Sequence, residues 1–312
     1  MSVINSEKGL AHPDDEPIAY RQRIREYYLA LGYENSYQWA HYSEVPFALL
    51  SKPLAQSKVA LITTAAPFKS DAGDQGPDAP YNGAAKFYAV YEFNTHDAPD
   101  LRISHIAYDR TNTPAKDSNT YLPVAQLMSA ADDGIIGEFA SVGFGLPTNR
   151  SQRTTTEIDC PDLLERLRRD EIDAAVLVPN CPVCHQSVSL AARHIESAGI
   201  ASVVMACAKD IVEYVGVPRM LFSDFPLGNA AGKPDDKNSQ RETLRLALSL
   251  LESAVSPRTT VQSPQQFRSD HSWKQSYSNA ALLSEEEIKL KRAEFDRQKT
   301  AAREVSAHGN SK

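Results

Sequence analysis

The sequence predicts an α/β protein: a doubly wound, three-layer core on a parallel sheet, with a charged C-terminal helical tail. Two observations support this prediction. Short apolar runs alternate with amphipathic stretches through the middle of the chain, as in strand–helix–strand units. The run at 174–178 is apolar throughout, as expected for a strand that helices cover on both faces. The length of 312 residues, 42% hydrophobic and 23% charged, is typical of a globular protein.

Each element is predicted from its local pattern. Strands are expected where apolar runs lie between turn-forming segments, and helices where apolar residues recur every three or four positions. The expected strands are 59–64, 87–93, 101–108, 135–144, 174–178, 201–207 and 220–225. The expected helices are 121–131, 161–169, one through 188–195 that stops at Gly199, 209–215 and 236–254.

Changes in composition divide the chain into four regions. We expect a helix and an aromatic arm over 1–56, a first α/β half over 57–150, a second over 151–256, and a polar linker with a C-terminal helix over 257–312. The last helix opens with a capping-box pattern at Ser284. Its alternating charges predict a solvated or loosely docked tail.

Composition also excludes several classes of function. A net charge of −7 argues against a nucleic-acid groove. No apolar run approaches the about 18 residues that a membrane helix needs, and residues 1–17 lack the apolar core of a secretory signal. We therefore expect a cytoplasmic protein that binds neither nucleic acid nor membrane. Four cysteines in a chain of this length do not form a disulfide scaffold.

The most informative segment holds Cys181, Cys184 and His185, between the strand 174–178 and the next helix. The carboxyl ends of strands face the ligand crevice in open α/β sheets, and a helix N-terminus stabilises a thiolate. The second thiol of a Cys-x-x-Cys pair resolves adducts of the first, and the histidine is placed to donate a proton or to orient its neighbours. The pattern predicts a reactive thiol at Cys181.

Two structural explanations of the same cysteines stay open. A zinc site would need two further ligands, and the sequence contains no second Cys-x-x-Cys. Both cysteines could instead be small buried apolar groups. We predict no metal ligands in this chain.

Other candidates for substrate binding lie near the ends of predicted strands or beside the cysteine pair. Polar groups at strand ends reach the same crevice, although a buried strand cysteine or a lone histidine more often has a structural role. The candidates are Thr63, Thr64, His105, Asp109, Gln186, Cys207 and Asp224.

Six segments in the expected order resemble the selenoprotein B component of the glycine, sarcosine, betaine and D-proline reductases, in a cysteine-containing form. The most specific is Cys-Pro-Val-Cys-His-Gln at 181–186. The likeness spans about residues 37–252, and the tail after 256 carries none of it. The other segments lie at 37–47, 58–64, 103–109, 134–137 and 224–228.

The resemblance implies a reductase in which Cys181 stands at the position of a selenocysteine. It implies that Cys181 attacks a carbon–heteroatom bond of a small, amino-acid-like substrate, that Cys184 is the resolving thiol, and that His185 assists proton transfer. No cofactor is expected in this chain. The expected partners are a thioredoxin-like or other thiol electron donor, a reductase subunit bearing a pyruvoyl group, and further copies of this chain in a homo-oligomer.

Two other functions are compatible with the same residues. One is a cofactor-independent racemase or lyase, in which Cys181 or Cys184 faces Cys207 across a substrate carbon and the thiols exchange its proton. The other is a non-catalytic subunit that uses the thiol pair as a redox or metal switch.

Overall fold

The computed structural model describes residues 16–309, with helices on both faces of a mainly parallel sheet. The strands are β1 (Lys58–Thr63), β2 (Ala66–Pro67), β3 (Tyr91–Asn94), β4 (Leu101–Arg102), β5 (Glu138–Phe139), β6 (Val142–Gly145), β7 (Ala174–Val178), β8 (Ala201–Ala206), β9 (Arg219–Phe222) and β10 (Thr259–Gln262). The helices are α1 (Tyr20–Ala30), α2 (Val124–Asp132), α3 (Gln152–Thr154), α4 (Cys160–Arg169), α5 (Pro182–Ser197), α6 (Lys209–Val215), α7 (Lys237–Ser253), α8 (Trp273–Ser276) and α9 (Glu285–Gly309). A π-helical stretch, Thr155–Asp159, joins α3 to α4.

One eight-stranded sheet forms the centre of the molecule. Its strand order is β10-β9-β8-β7-β1-β6-β3, and β5 also pairs with β1. Strand β3 is antiparallel to β6, whereas the other neighbours in this sheet are parallel. Strands β2 and β4 form a separate antiparallel pair. The parallel sheet predicted from the sequence is confirmed, and it includes strands from both predicted α/β halves.

Alternate residues of the central strands are buried against different helix layers. Val176 and Val178 of β7 belong to the core cluster that contains α2 and α7. Ala175 and Leu177 belong to the cluster that contains α4, α5 and α6. A strand covered on both faces needs apolar side chains at every position. The doubly wound, three-layer core is therefore confirmed.

The predicted strand 101–108 is wrong beyond its first two residues. Only Leu101–Arg102 is a strand, and the chain then continues as a loop. The apolar residues that suggested the strand, such as Ile103, are buried, but they anchor a loop instead of alternating across a sheet.

Other predicted strands also differ from the structure: the strand predicted at 87–93 begins only at Tyr91, and the one predicted at 220–225 ends at Phe222. The predicted strand 135–144 is divided into β5 and β6. Strand β10, in the predicted polar linker, was missed because its residues are polar or half-buried at the sheet edge and carry no apolar alternation.

Helix α9 is firmly docked, so the prediction of a loosely docked tail is wrong. The ring of Phe295 packs against Tyr28 and Tyr33, with centroid separations of 5.4 and 5.1 Å. The side chain of Gln298 accepts the backbone N–H of Gly83 at 2.8 Å. A Cβ at position 83 would overlap the backbone carbonyl of Gln298, and glycine allows this close approach.

The predicted capping box at the start of α9 is confirmed. The side chain of Glu287 accepts the backbone N–H of Ser284 at 2.8 Å, and the hydroxyl of Ser284 accepts the N–H of Glu287 at 3.3 Å. The predicted division of the chain at residues 56, 150 and 256 stays a prediction.

Within residues 16–309, no helix combines the length and the apolar character needed to cross a bilayer.

A buried ion pair joins α5, β9 and the N-terminal arm. Glu196 and Arg219 lie 2.8 Å apart with fully buried side chains. Arg219 also donates to the carbonyl of Ala48 at 2.7 Å, and Glu196 accepts the N–H groups of Ala48 and Ser202. These bonds tie the pair to the arm at Ala48, although Nε of Arg219 is buried without a hydrogen-bond partner within residues 16–309.

We expect Arg219→Met to lower the free energy of unfolding by about 3–5 kcal/mol, because it leaves the Glu196 carboxylate buried without its partner. Urea denaturation measures this change. The control is Arg245→Met, since Arg245 is 72% exposed beside Glu242 and should change stability by no more than about 0.5 kcal/mol. Similar losses in the two variants would contradict the prediction.

Candidate active site at the start of α5

A cavity of about 540 Å³ lies where the strand order reverses. Strand β1 is flanked by β6 and β7. Thr148, which follows β6, and Cys181, which follows β7, both line the cavity. This is the position at which open α/β sheets bind ligands.

The wall of the cavity is aromatic and cationic. Three further parts of the chain complete this wall: helix α1, the arm that follows α1, and helix α9. Its aromatic residues are Tyr28, Tyr33, Tyr37, Trp39, Tyr81 and Phe295. Its cationic residues are Arg21, Arg25, Lys86, Arg150, Arg292 and Lys299, and its carboxylate within the described chain is Glu34. Such a wall favours an anionic ligand with an apolar part.

Cys181 is the N-cap residue of α5. Its Sγ atom accepts the backbone N–H of Cys184 at 3.2 Å. Its side chain is only 3% exposed, but it lines the cavity. The sulfur is therefore shielded from bulk water and still within reach of a ligand.

Cys184 lies one turn into the helix and is fully buried. Its Sγ atom is 3.2 Å from the hydroxyl of Thr148, which lies 3.5 Å from Nε2 of His105. Ligand atoms of His105, Cys181 and Cys184 all lie within 4.8 Å of one another. The structure thus brings His105, predicted only to bind substrate, next to the thiol pair.

The pKa values of the two thiols are shifted in opposite directions. Burial opposes a thiolate at Cys184, but a hydrogen bond from the Cys181 thiol and interactions with His105 and Thr148 outweigh it, so the pKa of Cys184 is lowered. Burial raises the pKa of Cys181, and its neighbour Cys184 raises it further. Helix N-termini favour a thiolate at the first cysteine; here burial acts against that effect and raises the pKa of Cys181.

His185 is buried, and both of its ring nitrogens are hydrogen-bonded to the backbone. Nε2 accepts the N–H groups of Cys207 and Ala208 at 3.1 Å, so Nδ1 carries the proton and donates to the carbonyl of Cys181 at 2.8 Å. Burial lowers the pKa of His185 to about 4. The ring is neutral and orients the start of α5, and it has no free nitrogen for the predicted proton transfer.

Three predicted substrate-binding residues are engaged in the protein's own hydrogen bonds. The hydroxyl of Thr64 accepts the N–H of Asn180 at 3.0 Å, and that of Thr63 accepts the N–H of Ala65. Gln186 accepts the N–H of Ala40 and donates to the hydroxyl of Tyr37, both at 2.7 Å. The structure places these side chains as supports for the loop after β7 and for the arm.

The remaining candidates lie away from the thiol pair. Cys207 is buried and outside the cavity wall, and burial strongly raises its pKa. Asp224 pairs with Lys274 at 2.5 Å. Asp109 accepts hydrogen bonds from Asn112, and its burial raises its pKa to about 6.

Sequence reasoning missed Lys86, Thr148 and Arg150. Lys86 and Arg150 form no ion pair with any carboxylate within residues 16–309, and both line the cavity with Cys181. Burial lowers the pKa of Lys86, and the nearby Cys181 raises it. Thr148 and Arg150 lie in a polar segment directly after the predicted strand 135–144, and this position was the only sequence signal for them. Lys86 comes from a distant loop that contains no motif.

The fold and the site define an α/β protein with a buried thiol pair at the crevice of its sheet. The chain is 26% identical over 193 residues to D-proline reductase subunit gamma of Acetoanaerobium sticklandii, which covers 62% of this chain and 77% of that protein. It is 26% identical over 231 residues to the glycine reductase complex component B subunit gamma of Symbiobacterium thermophilum, covering 72% of this chain.

The chain spans about half the length of the glycine reductase subunit, of which the match covers 52%. No family model and no solved structure matches the chain. The two relatives confirm the resemblance to the reductase family that the sequence predicts, and they support a reductase-type function.

We expect Thr148→Val to move the first thiolate titration to higher pH. The variant removes a hydrogen bond that favours the Cys184 thiolate. Ultraviolet absorbance of the thiolate against pH measures the shift. Cys160 and Cys207 do not interfere, since burial raises the pKa of Cys160 to about 12 and that of Cys207 still further. Thr260→Val, on the distant edge strand β10, should leave the titration unchanged. A Thr148→Val profile that matches the unmodified protein would refute the assignment.

Proposed function

We propose that the protein is a thiol-dependent reductase that cleaves a carbon–heteroatom bond of a small, amino-acid-like carboxylate. One observation carries the proposal: the Cys181 thiol borders the cavity, and its sulfur lies within 4.8 Å of the Cys184 sulfur and of a ring nitrogen of His105. This arrangement provides a nucleophile, a base for its proton and a second sulfur for resolution. The similarity to the two reductase subunits supports the same class of reaction.

In the first step, Cys184 accepts the proton of Cys181 while the sulfur of Cys181 attacks the substrate carbon. A sulfur–carbon bond forms, and the carbon–heteroatom bond breaks. The leaving group departs with the bonding electron pair and takes up the proton that Cys184 accepted, so that Cys184 is again a thiolate. Lys86 stabilises the thiolate of Cys181, since its charge acts to lower the pKa of that thiol.

In the second step, the thiolate of Cys184 attacks the sulfur of Cys181. The disulfide forms, the sulfur–carbon bond breaks, and the carbon leaves with its electron pair and a proton. The two sulfurs thus supply two electrons, and the Cys181 thiol supplies the proton that goes to the leaving group. Water supplies the second proton, which reaches the carbon by way of His105, because its ring adjoins Cys184 through Thr148.

The cycle needs an external dithiol, of the thioredoxin type, to reduce the disulfide. The resemblance also implies a partner subunit with a pyruvoyl group, and both relatives are named as subunits of reductases. We propose that such a partner activates the substrate. The groups of this chain then provide the nucleophile, its base and the charged wall around the substrate. A homo-oligomeric state is also part of this proposal.

Bromoacetate, a carboxylate with a cleavable carbon–bromine bond, tests the two cysteines separately. With dithiothreitol present, we expect the unmodified protein to release acetate. We expect Cys184→Ser to retain one carboxymethyl group on Cys181, because the resolving thiol is absent, and Cys181→Ser to release no acetate. Mass spectrometry of the intact protein and its peptides measures the adduct.

Cys207→Ser is the matched control, since Cys207 is buried but lies outside the cavity wall. It should behave as the unmodified protein. Release of acetate by Cys181→Ser would exclude the proposed nucleophile. Deuterium from the solvent that appears at a substrate carbon without any reductant would instead favour the two-thiol racemase or lyase.

A metal switch is a second candidate, because ligand atoms of His105, Cys181 and Cys184 lie within 4.8 Å of one another. Zinc accepts two thiolates and an imidazole at about 2.0–2.3 Å and leaves a fourth position open. Elemental analysis of protein dialysed against zinc and then against metal-free buffer tests it. We expect no stoichiometric zinc to remain under the reductase function; one zinc per chain, lost in His105→Gln, would favour the switch.

A further inference from the structure

We propose that the cavity takes an organic anion with an apolar or aromatic body and no free ammonium group, whose carboxylate lies between Lys86 and Arg150. This inference deepens the proposed function by naming its substrate class, and it rests on that function only for the place of the carboxylate beside the thiols. A free glycine or proline is not the ligand that this cavity favours.

The position of the ligand's carboxylate is inferred from two cationic side chains that have no counter-ion in the described part of the chain. Lys86 and Arg150 line the cavity with Cys181, and within the described part of the chain neither forms an ion pair. The two side chains lie close enough that the charge of Arg150 lowers the pKa of Lys86. A carboxylate between them would relieve this repulsion and receive charge-assisted hydrogen bonds, two of them from the planar guanidinium.

The same charges disfavour a zwitterion. Glu34 is the carboxylate in the described wall, against six cationic side chains, of which Arg292 is paired with Asp296 at 2.9 Å. An α-ammonium group lies next to its own carboxylate, so it would be brought towards Lys86 and Arg150 and repelled by them. A neutral nitrogen, as in an amide, or no nitrogen at all, removes this repulsion.

The body of the ligand is assigned from the size and the aromatic lining. The cavity volume of about 540 Å³ lies in the range of roughly 300–1,000 Å³ that is typical of pockets for drug-sized ligands. The rings of Tyr37 and Trp39 pack edge to face at 4.7 Å in one part of the wall. Tyr28 and Phe295 pack together in another part. Burial of an apolar group against these rings removes apolar surface from water, which a glycine molecule cannot do.

Four probes separate the requirements for charge and for size. N-acetylphenylalanine has the carboxylate, the body and a neutral nitrogen. Phenylalanine adds the ammonium group, N-acetylphenylalaninamide lacks the carboxylate, and N-acetylglycine lacks the body. Titration calorimetry on the reduced, full-length protein should give N-acetylphenylalanine a Kd at least about tenfold lower than that of each other probe. A tenfold difference in Kd corresponds to the free energy of about one hydrogen bond to a charged group.

Variants of the wall assign each requirement to its residue. Lys86→Met and Arg150→Met should each remove most of the preference for the acid over its amide. Phe295→Ala should weaken the binding of N-acetylphenylalanine at least about threefold, as expected for a lost buried contact. The same variant should leave the binding of N-acetylglycine unchanged. The control is Arg153→Met, because Arg153 is 82% exposed beside Glu157 and lies outside the wall.

The outcomes distinguish this inference from the proposed reaction. Cys207→Ser, at a buried cysteine outside the wall, should bind N-acetylphenylalanine as the unmodified protein does. Phenylalanine or the amide binding as tightly as the acid, or no binding of any probe at millimolar concentration, would overturn the inference. Either result would leave the bromoacetate experiment to decide the thiol chemistry on its own.

Discussion

The site depends on the close approach of two buried sulfur atoms at the start of α5. Burial alone would suppress a thiolate at either one. The pKa of Cys184 is lowered because the thiol of Cys181, together with Thr148 and His105, interacts with its sulfur. Burial and the neighbouring Cys184 raise the pKa of Cys181. The cysteines therefore differ in their proposed tasks: the one that borders the cavity is the nucleophile, and the enclosed one is its base.

Backbone hydrogen bonds keep these sulfurs in place. His185 links the carbonyl of Cys181 to the N–H groups that follow β8, and Thr64 holds the N–H of Asn180. Gln186 ties the same helix turn to the aromatic arm. These polar residues are preorganising groups: they satisfy buried donors and fix the geometry of the thiols before any ligand enters.

The cavity is assembled from segments far apart in sequence. The arm after α1, the loop that holds Lys86, the segment around Thr148 and the helix α9 each contribute to the wall. The docking of α9 is decisive for the shape of the cavity, because Phe295 closes one side against α1. A glycine at position 83 allows the backbone of the same helix to approach closely at Gln298. The charge of the wall is likewise a tertiary property, since its cations come from α1, the loop that holds Lys86, the segment around Arg150 and α9.

Local sequence patterns were sufficient for the parallel sheet, for helices such as α6, and for Cys181 at a strand end, because periodicity and helix capping act over a few residues. They were also sufficient to place His105 among the candidates. They could not predict that Phe295 anchors the tail, that His185 is committed to the backbone, or that Lys86 and Arg150 meet beside the thiols. Those outcomes follow from long-range packing and from how burial distributes charge, and neither is encoded in the spacing of neighbouring residues.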